Sequence, residues 1–336
     1  MATNTDLLPL PTPPFYTIPN MCNLRDAALS VNTCSGGKLR PNILFRSADV
    51  SKLEVENWKA LYALGVAHVF DLRSKPEVDK SLAAGAEHGD ESKTWIGKMG
   101  QAGVKRSWVP VFQETDYSPE KIAVRFAKYM DEDVKGFVTA YRGILDEAGP
   151  AFANIFRYLA DLPAPEQQGR RQQGNDGQKV GALVHCSAGK DRTGLFFAVL
   201  FAFLDVPFDQ IATEYNLTEL GLQPIRDETA DRLLKTLAFQ TYMKAQMPVG
   251  GLESMEGEEN VDFSPEVQEK ARQAALRMIS ARKESMMGSL QMLNTEFGGA
   301  SNYMKVQCGL DDDVLERLRK NLVVEVEDEA KIGPKV

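Results

Sequence analysis

Between Glu54 and Leu64 the apolar residues Trp58, Leu61 and Leu64 recur at helical spacing, and Gly65 follows where a helix stop is expected. The next stretch, Val66 to Leu72, is almost continuously apolar and predicts a buried strand. Asn42 to Arg46 predicts a short strand before that helix, so the chain opens as strand, helix, strand. Trp108 to Phe112 predicts a further short strand or strand end, and Pro119–Leu145 and Ala151–Leu162 predict helices. Val180 to Val184 predicts an apolar strand, followed after a short loop by an apolar helix over Leu195–Leu204. This alternation predicts an α/β fold with a central, mostly parallel sheet flanked by helices. Beyond about residue 210 the pattern is helical throughout, with helices expected over Glu266–Leu293 and Asp312–Val323. In the last of these Val314, Leu315, Leu318 and Leu322 form one stripe.

Punctuation divides the chain. Residues 1–20 carry five prolines and read as an extended arm. Residues 164–179 are polar, rich in Gln and Gly and without periodicity, as a surface insertion would be. Residues 250–264 interrupt the helical part, and residues 325–336, with Glu325, Glu327 and Glu329, read as a solvated acidic tail. What remains, residues 21–324, is expected to form one domain, with 225–324 as an added helical part placed to act as a lid.

Composition narrows the function. The formal charge of −8 gives no whole-protein field that would gather nucleic acid or anionic lipid, so any bound anion must meet a local positive site. The N-terminus lacks a positive region followed by a long apolar one, and the longest apolar run, Leu195–Leu204, is too short to span a bilayer. No secretory signal and no integral membrane segment are therefore expected. Cys22, Cys34, Cys186 and Cys308 show neither disulfide-framework nor metal-ligand spacing. A reducing, cytoplasmic setting without metal or other cofactor is the expectation.

The chemistry concentrates in His185-Cys186-Ser187-Ala188-Gly189-Lys190-Asp191-Arg192-Thr193-Gly194. A cysteine followed six positions later by arginine means little alone, and Cys34 to Arg40 repeats the spacing. Cys34 follows no apolar strand, whereas Cys186 follows Ala182-Leu183-Val184 and Arg192 opens a helix. Strand, tight loop and helix make an anion cradle from backbone N–H groups and the positive end of the helix. Ser187, Ala188, Gly189, Lys190 and Gly194 belong to that cradle, with Gly189 permitting positive φ or close approach. The same field favours the thiolate of Cys186, and the Arg192 fork fits two phosphate oxygens. Thr193 is expected to hydrogen-bond the sulfur, and His185 to orient the loop rather than transfer protons. The predicted reaction passes through a cysteinyl-phosphate that water then hydrolyses.

This loop resembles the signature of the cysteine-dependent tyrosine phosphatases, and more narrowly an atypical bacterial and fungal branch that also accepts phosphoinositides. The likeness runs in order from about residue 20 to 323. It includes Asn23-Leu24-Arg25-Asp26, Leu44-Phe45-Arg46-Ser47-Ala48, Asp71-Leu72-Arg73-Ser74 with Glu77, Glu214-Tyr215-Asn216-Leu217-Thr218, Tyr303 and Gly309-Leu310. The resemblance implies the cysteine-phosphatase fold and a phosphorylated protein or phosphoinositide as substrate. The insertion at 164–179 departs from the branch, and no Asp directly follows Pro110, where better-known tyrosine phosphatases carry their general acid. The resemblance suggests Asp191 as general acid; Asp116, or Glu114, after the Trp108 segment is the alternative. Lys190, as a second cation beside Arg192, would favour a substrate bearing further negative charge.

Structural roles are expected elsewhere. Arg25, Arg46 and Arg73 read as loop ties, His68 as a core residue, and Met278, Met286, Met287, Met292 and Met304 as core filling. Two other functions share the anion cradle: a catalytically silent phosphate-binding module, and a sulfurtransferase or arsenate reductase.

Overall fold

The computed structural model describes residues 9–83, 90–113, 119–131, 133–165, 179–236, 239–241 and 264–324. Asp116 and Glu114, residues 1–8 of the arm, most of the 164–179 insertion and of the 250–264 break, and the 325–336 tail lie outside the described residues. The described chain is α/β, as its alternating pattern predicts. A five-stranded sheet is built from β1 (Arg25–Asp26), β3 (Leu44–Ser47), β4 (Val66–Asp71), β5 (Lys105–Trp108) and β6 (Gly181–His185). Its order is β1-β3-β6-β4-β5, with β1 antiparallel to β3 and the other pairings parallel. The carboxyl ends of four strands therefore lie side by side, with Ser47 opposite His185, His185 opposite Asp71, and Asp71 opposite Trp108. Open parallel sheets bind ligands at this edge.

Alternate residues of β6 serve the two faces of the sheet. Leu183 packs with Trp58 and Leu61 of α1 (Val55–Leu64) and with Trp95 and Met99 of α3 (Trp95–Gln101). Ala182 and Val184 join the larger core of α5 (Val134–Ala160) and α6 (Asp191–Phe203) on the other side. Helix α1 starts and stops as expected: the Glu54 N–H donates to Asn57 Oδ1, and Gly65 adopts a left-handed φ of 120°. Between α1 and α3 lies α2 (Lys75–Ala83).

Several boundaries differ from the sequence pattern, each for a physical reason. The first parallel strand begins at Leu44 because Asn42 adopts a left-handed φ of 60°, a turn that Asn tolerates and a strand excludes. The strand expected over Trp108–Phe112 lies earlier, at Lys105–Trp108, where a partly exposed edge strand carries Lys, Arg and Ser instead of an apolar run. The helix expected over Pro119–Leu145 is divided into α4 (Pro119–Met130) and α5, whose start Asp133 caps by accepting from the Lys135 N–H. Helix α5 then runs through Pro150, merging the two predicted segments. A proline inside a helix costs about 3 kcal/mol or more. The long buried stripe from Phe137 through Ile144 and Phe152 to Leu159 offsets that cost.

The C-terminal part is helical, with two additions. Helices α7 (Phe208–Asn216), α8 (Thr218–Leu222) and α9 (Arg226–Leu234) follow α6. The helix expected over Glu266–Leu293 is interrupted at residues 280–282, giving α10 (Pro265–Ile279) and α11 (Lys283–Phe297). Helices α12 (Ala300–Val306) and α13 (Asp312–Leu322) come next, and the expected stripe of Val314, Leu315, Leu318 and Leu322 is buried. The chain then forms β7 (Val323–Val324), which pairs antiparallel with β2 (Lys38–Leu39) and ties the end of the described chain to its beginning. Met286, Met292 and Met304 fill the main core, as their composition suggested. Helices α4, α9 and α10 share a separate small apolar cluster of Met130, Ala230, Ala274 and Ala275. No helix among the described residues is long and apolar enough to cross a membrane.

Two glycines of α5 make opposite predictions. A Cβ on Gly149 would run into the Gln307 carbonyl, whereas one on Gly143 would meet nothing within 4 Å. Gly149→Ala is expected to destabilise the fold by about 1–3 kcal/mol through overpacking. Gly143→Ala should stabilise it by roughly 0.5–1 kcal/mol, as alanine does in helices. Urea unfolding midpoints of the two variants give both signs.

Candidate active site

Strand β6 ends at His185, and the chain turns through Cys186 to Lys190 before entering α6. Gly189 holds a φ of 61°, and a Cβ there would collide with the Ser47 carbonyl, so both conformation and space require glycine. The loop carbonyls are committed outward. Asn23 Nδ2 donates to Ala188 O (3.1 Å) and Gly189 O (3.2 Å), Arg46 Nη2 donates to Gly189 O (2.8 Å), and the Asp49 N–H donates to Ser187 O (3.0 Å). Among the described residues no protein acceptor takes up the N–H groups of Ser187, Ala188 or Gly189. These amides and the N-terminus of α6 are able to cradle an anion. Cys186 sits at its base, buried.

Arg46 and Arg25 prove to be ties. Glu214 of α7 accepts from Arg25 Nε at 2.7 Å and from Arg46 Nη1 at 2.6 Å, all three side chains being buried. Arg25 also donates to Thr218 Oγ1 and the Glu214 carbonyl. Burial lowers Arg25 to about 10, which leaves it charged. The second cysteine–arginine pair is coincidental. Cys34 is exposed, and Arg40 Nη1 donates to the Pro163 and Asn321 carbonyls at 2.8 and 3.2 Å.

Arg192 is aimed by a residue to which the sequence assigned no role. Glu77, in the first turn of α2, accepts from Arg192 Nη1 at 2.7 Å and from Nη2 at 2.8 Å. Glu77 also accepts from the Ser187 hydroxyl and from Ser74 N and Oγ. Burial alone would raise this carboxyl, but Arg192 beside it and those donors hold it well below the usual carboxylate range. The signal for Glu77 was its place three residues beyond Ser74, just past the end of β4, which neighbours β6 in the sheet. That adjacency is a tertiary fact.

The His185 ring is fully buried, and Nδ1 lies 3.2 Å from the Cys186 carbonyl, so Nδ1 carries the proton and donates. Nε2 then holds its lone pair toward Asp71 Oδ1, and the 3.6 Å between them is too long for a hydrogen bond. Burial lowers the His185 pKa and keeps the ring neutral. Asp71 serves Arg73 and Arg106 instead, at 2.9 and 2.8 Å. Burial opposes its ionisation, and the surrounding positive groups more than offset that.

Two loop residues stand differently from expectation. Thr193 Oγ1 is buried without a hydrogen-bond partner among the described residues, so the bond to sulfur is not formed in this structure. Lys190 is buried, and its Nζ donates to the carbonyls of Met278 and, at 3.2 Å, Ser280 at the end of α10. It also lies 3.3 Å from Asp191 Oδ1 and against the rings of Phe137 and Tyr129. It holds α10 against the loop rather than standing beside Arg192 for substrate. Asp191 is partly exposed, lies 3.3 Å from Lys190 Nζ, and accepts from Tyr141 Oη at 2.7 Å.

Glu77→Gln tests the aiming of Arg192. The variant is expected to lose about 10²–10³-fold in kcat/KM for aryl phosphates, the scale of one preorganised charge contact. Because folding lowers the Glu77 pKa, its pairing stabilises the protein above the ordinary glutamate value and is lost as pH falls below about 4.3. The Gln variant should therefore show a shallower fall of unfolding midpoint between about pH 5 and pH 2 than the parent protein.

Comparison with known proteins gives the family. A model described as "Tyrosine phosphatase family" matches residues 16–324. The chain is 22% identical over 325 residues to the triple specificity protein phosphatase PtpB of Mycobacterium tuberculosis, covering 90% of this chain and 96% of that protein. It is 28% identical over 219 residues to a tyrosine-protein phosphatase of Nostoc commune, covering 63% of this chain and 60% of that relative. With its nest, its buried cysteine and its clamped arginine in one loop, the chain belongs to the tyrosine phosphatase family.

Proposed function

We propose that the protein hydrolyses phosphate monoesters of tyrosine and of phosphoinositides through a cysteinyl-phosphate on Cys186. The observation that carries this reading is the pairing of an anion nest with Arg192 held in the bidentate grip of Glu77. The nest takes the phosphoryl oxygens. The Arg192 fork, fixed before substrate arrives, stabilises the charge that spreads over them during transfer. Cys186 Sγ forms the S–P bond as the P–O bond to the leaving group breaks, and an acid protonates that oxygen. Water then attacks phosphorus, gives its proton to the same residue, and releases inorganic phosphate and the thiolate.

Asp191 is our assignment for that acid, supported by its place five residues from Cys186 and by its partial exposure. Asp116 is the alternative. The breadth of substrate is supported by the relative named a triple specificity phosphatase. Residues 21–324 act as one phosphatase domain in this reading. The helical part 225–324 serves as a lid, with α10 fastened to the loop by Lys190, a role supported by the Lys190 contacts with Met278 and Ser280. The four unpaired cysteines support a reducing compartment, the cytoplasm, as the place of action.

A substrate panel of phosphotyrosine peptides, phosphoserine peptides and mono- and polyphosphoinositides tests the assignment. Cys186→Ser should retain the fold and release no phosphate, and undiminished release would overturn the mechanism. Asp191→Asn is expected to lose about 10²–10⁴-fold in kcat on unactivated esters while Asp116→Asn changes little. The reverse pattern would transfer the acid role to Asp116.

A further inference from the structure

Asp191 is the end of a chain of hydroxyl groups. Tyr141 of α5 reaches its Oδ1 at 2.7 Å, and Tyr215 of α7 lies 2.6 Å behind the Tyr141 hydroxyl. Both rings are buried, and that of Tyr215 packs so closely on the loop that a Cβ on Gly194 would stand 3.0 Å from it. Burial first, and the Asp191 charge second, raise both phenols well above their ordinary value, so both remain protonated donors.

The direction of this chain follows from counting acceptors. Tyr215 Oη has Tyr141 Oη as its partner among the described residues, so its proton goes there. Tyr141 then accepts from Tyr215 and must donate to Asp191. The opposite orientation would leave the Tyr215 O–H pointing at no acceptor, a cost of about 1–3 kcal/mol for a buried group. Lys190 Nζ meets the same oxygen at 3.3 Å. Asp191 Oδ1 is thus surrounded by donors, whereas Oδ2 has no partner among the described residues.

We propose that Tyr141, backed by Tyr215, is a positioning residue that assigns the two oxygens of Asp191 different tasks. Oδ1 is the anchor, and Oδ2 carries the proton delivered to the leaving oxygen and recovered from water. A carboxyl free to rotate would present either oxygen in either protonation state. Fixing Oδ1 removes that freedom from the transfer step. This inference rests on the reading of Asp191 as general acid, and the experiment separates the two.

Steady-state kinetics of the full chain, Tyr141→Phe, Tyr215→Phe, Asp191→Asn and Tyr141→Phe/Asp191→Asn would be measured on two aryl phosphates. One carries a poor leaving group, phenyl phosphate, and the other a good one, dinitrophenyl phosphate. Tyr141→Phe is expected to lower kcat on phenyl phosphate about 10–100-fold, the scale of one hydrogen bond to a charged group, with KM little changed. It should leave dinitrophenyl phosphate nearly untouched, and add nothing in the Asp191→Asn background. Tyr215→Phe, which keeps the direct bond to Asp191, should give a smaller loss with the same leaving-group bias. An effect of Tyr141→Phe equal on both esters, or multiplying in full onto Asp191→Asn, would overturn the positioning role. Loss in Asp191→Asn that ignores the leaving group would instead overturn Asp191 as the acid. Should Tyr141→Phe fold poorly, Tyr215→Phe carries the same test: a loss equal on both esters would overturn the chain.

Discussion

The shape of the catalytic loop depends on one buried carboxylate that two arginines share. Glu214 lies between Arg25 and Arg46, and Arg46 spends its other nitrogen on the Gly189 carbonyl. Removing one member of such a cluster strands an uncompensated buried charge, which costs about 3–5 kcal/mol. The Gly189 peptide is turned away from the nest by this grip and by Asn23, and its left-handed φ follows. Three segments separated in sequence, around Arg25, Arg46 and Glu214, thus act together on the backbone of the Cys186 loop. Their motifs are best understood as parts of the loop's foundation.

A second carboxylate performs a separate task. Glu214 sets the backbone, and Glu77 aims the Arg192 side chain. A third, Asp71, gathers Arg73 and Arg106 below His185. Glu214 and Asp71 each sit between two guanidinium groups, and Glu77 pairs with Arg192, so each arginine near the loop has a carboxylate partner and the local balance remains positive. A charge pair at 4 Å is worth about 4 kcal/mol at an effective dielectric near 20, while exposed charges beyond about 8–10 Å are largely screened. An overall charge of −8 and an anion-binding loop are compatible for that reason.

The loop was legible in the sequence because its residues are contiguous: Cys186, Gly189 and Arg192 lie within His185–Gly194, with a strand before and a helix after. The main strands and the stripe of α13 were legible for the same local reason. What escaped notice was set by tertiary contact. Strand β5 carries Lys, Arg and Ser because it is a partly exposed edge. Helix α5 passes through Pro150 because its buried stripe outweighs the local penalty. Glu77 meets Arg192 only because β4 and β6 are neighbours in the sheet. Thr193 fits the loop pattern, yet its hydroxyl makes no bond to sulfur here.

Lys190 is the instructive case. Its charge and its place beside Arg192 suggested a subsite for additional substrate phosphate, but its ammonium faces inward. The carbonyls at the end of α10, the Asp191 carboxylate and the faces of Phe137 and Tyr129 surround it. A buried ammonium needs such partners, since its desolvation is offset only by close oxygen atoms and aromatic faces. The catalytic loop therefore has two sides with different duties. From Ser187 to Gly189 the backbone N–H groups are left open, whereas the Lys190 ammonium and Asp191 Oδ1 are turned to the protein. Through that second side α5 and α10 bond directly to Asp191 and Lys190, and α7 reaches Asp191 through the Tyr215 hydroxyl behind Tyr141. The helical extension is thus coupled to the loop by the α10 carbonyls that Lys190 holds, in addition to any covering it provides.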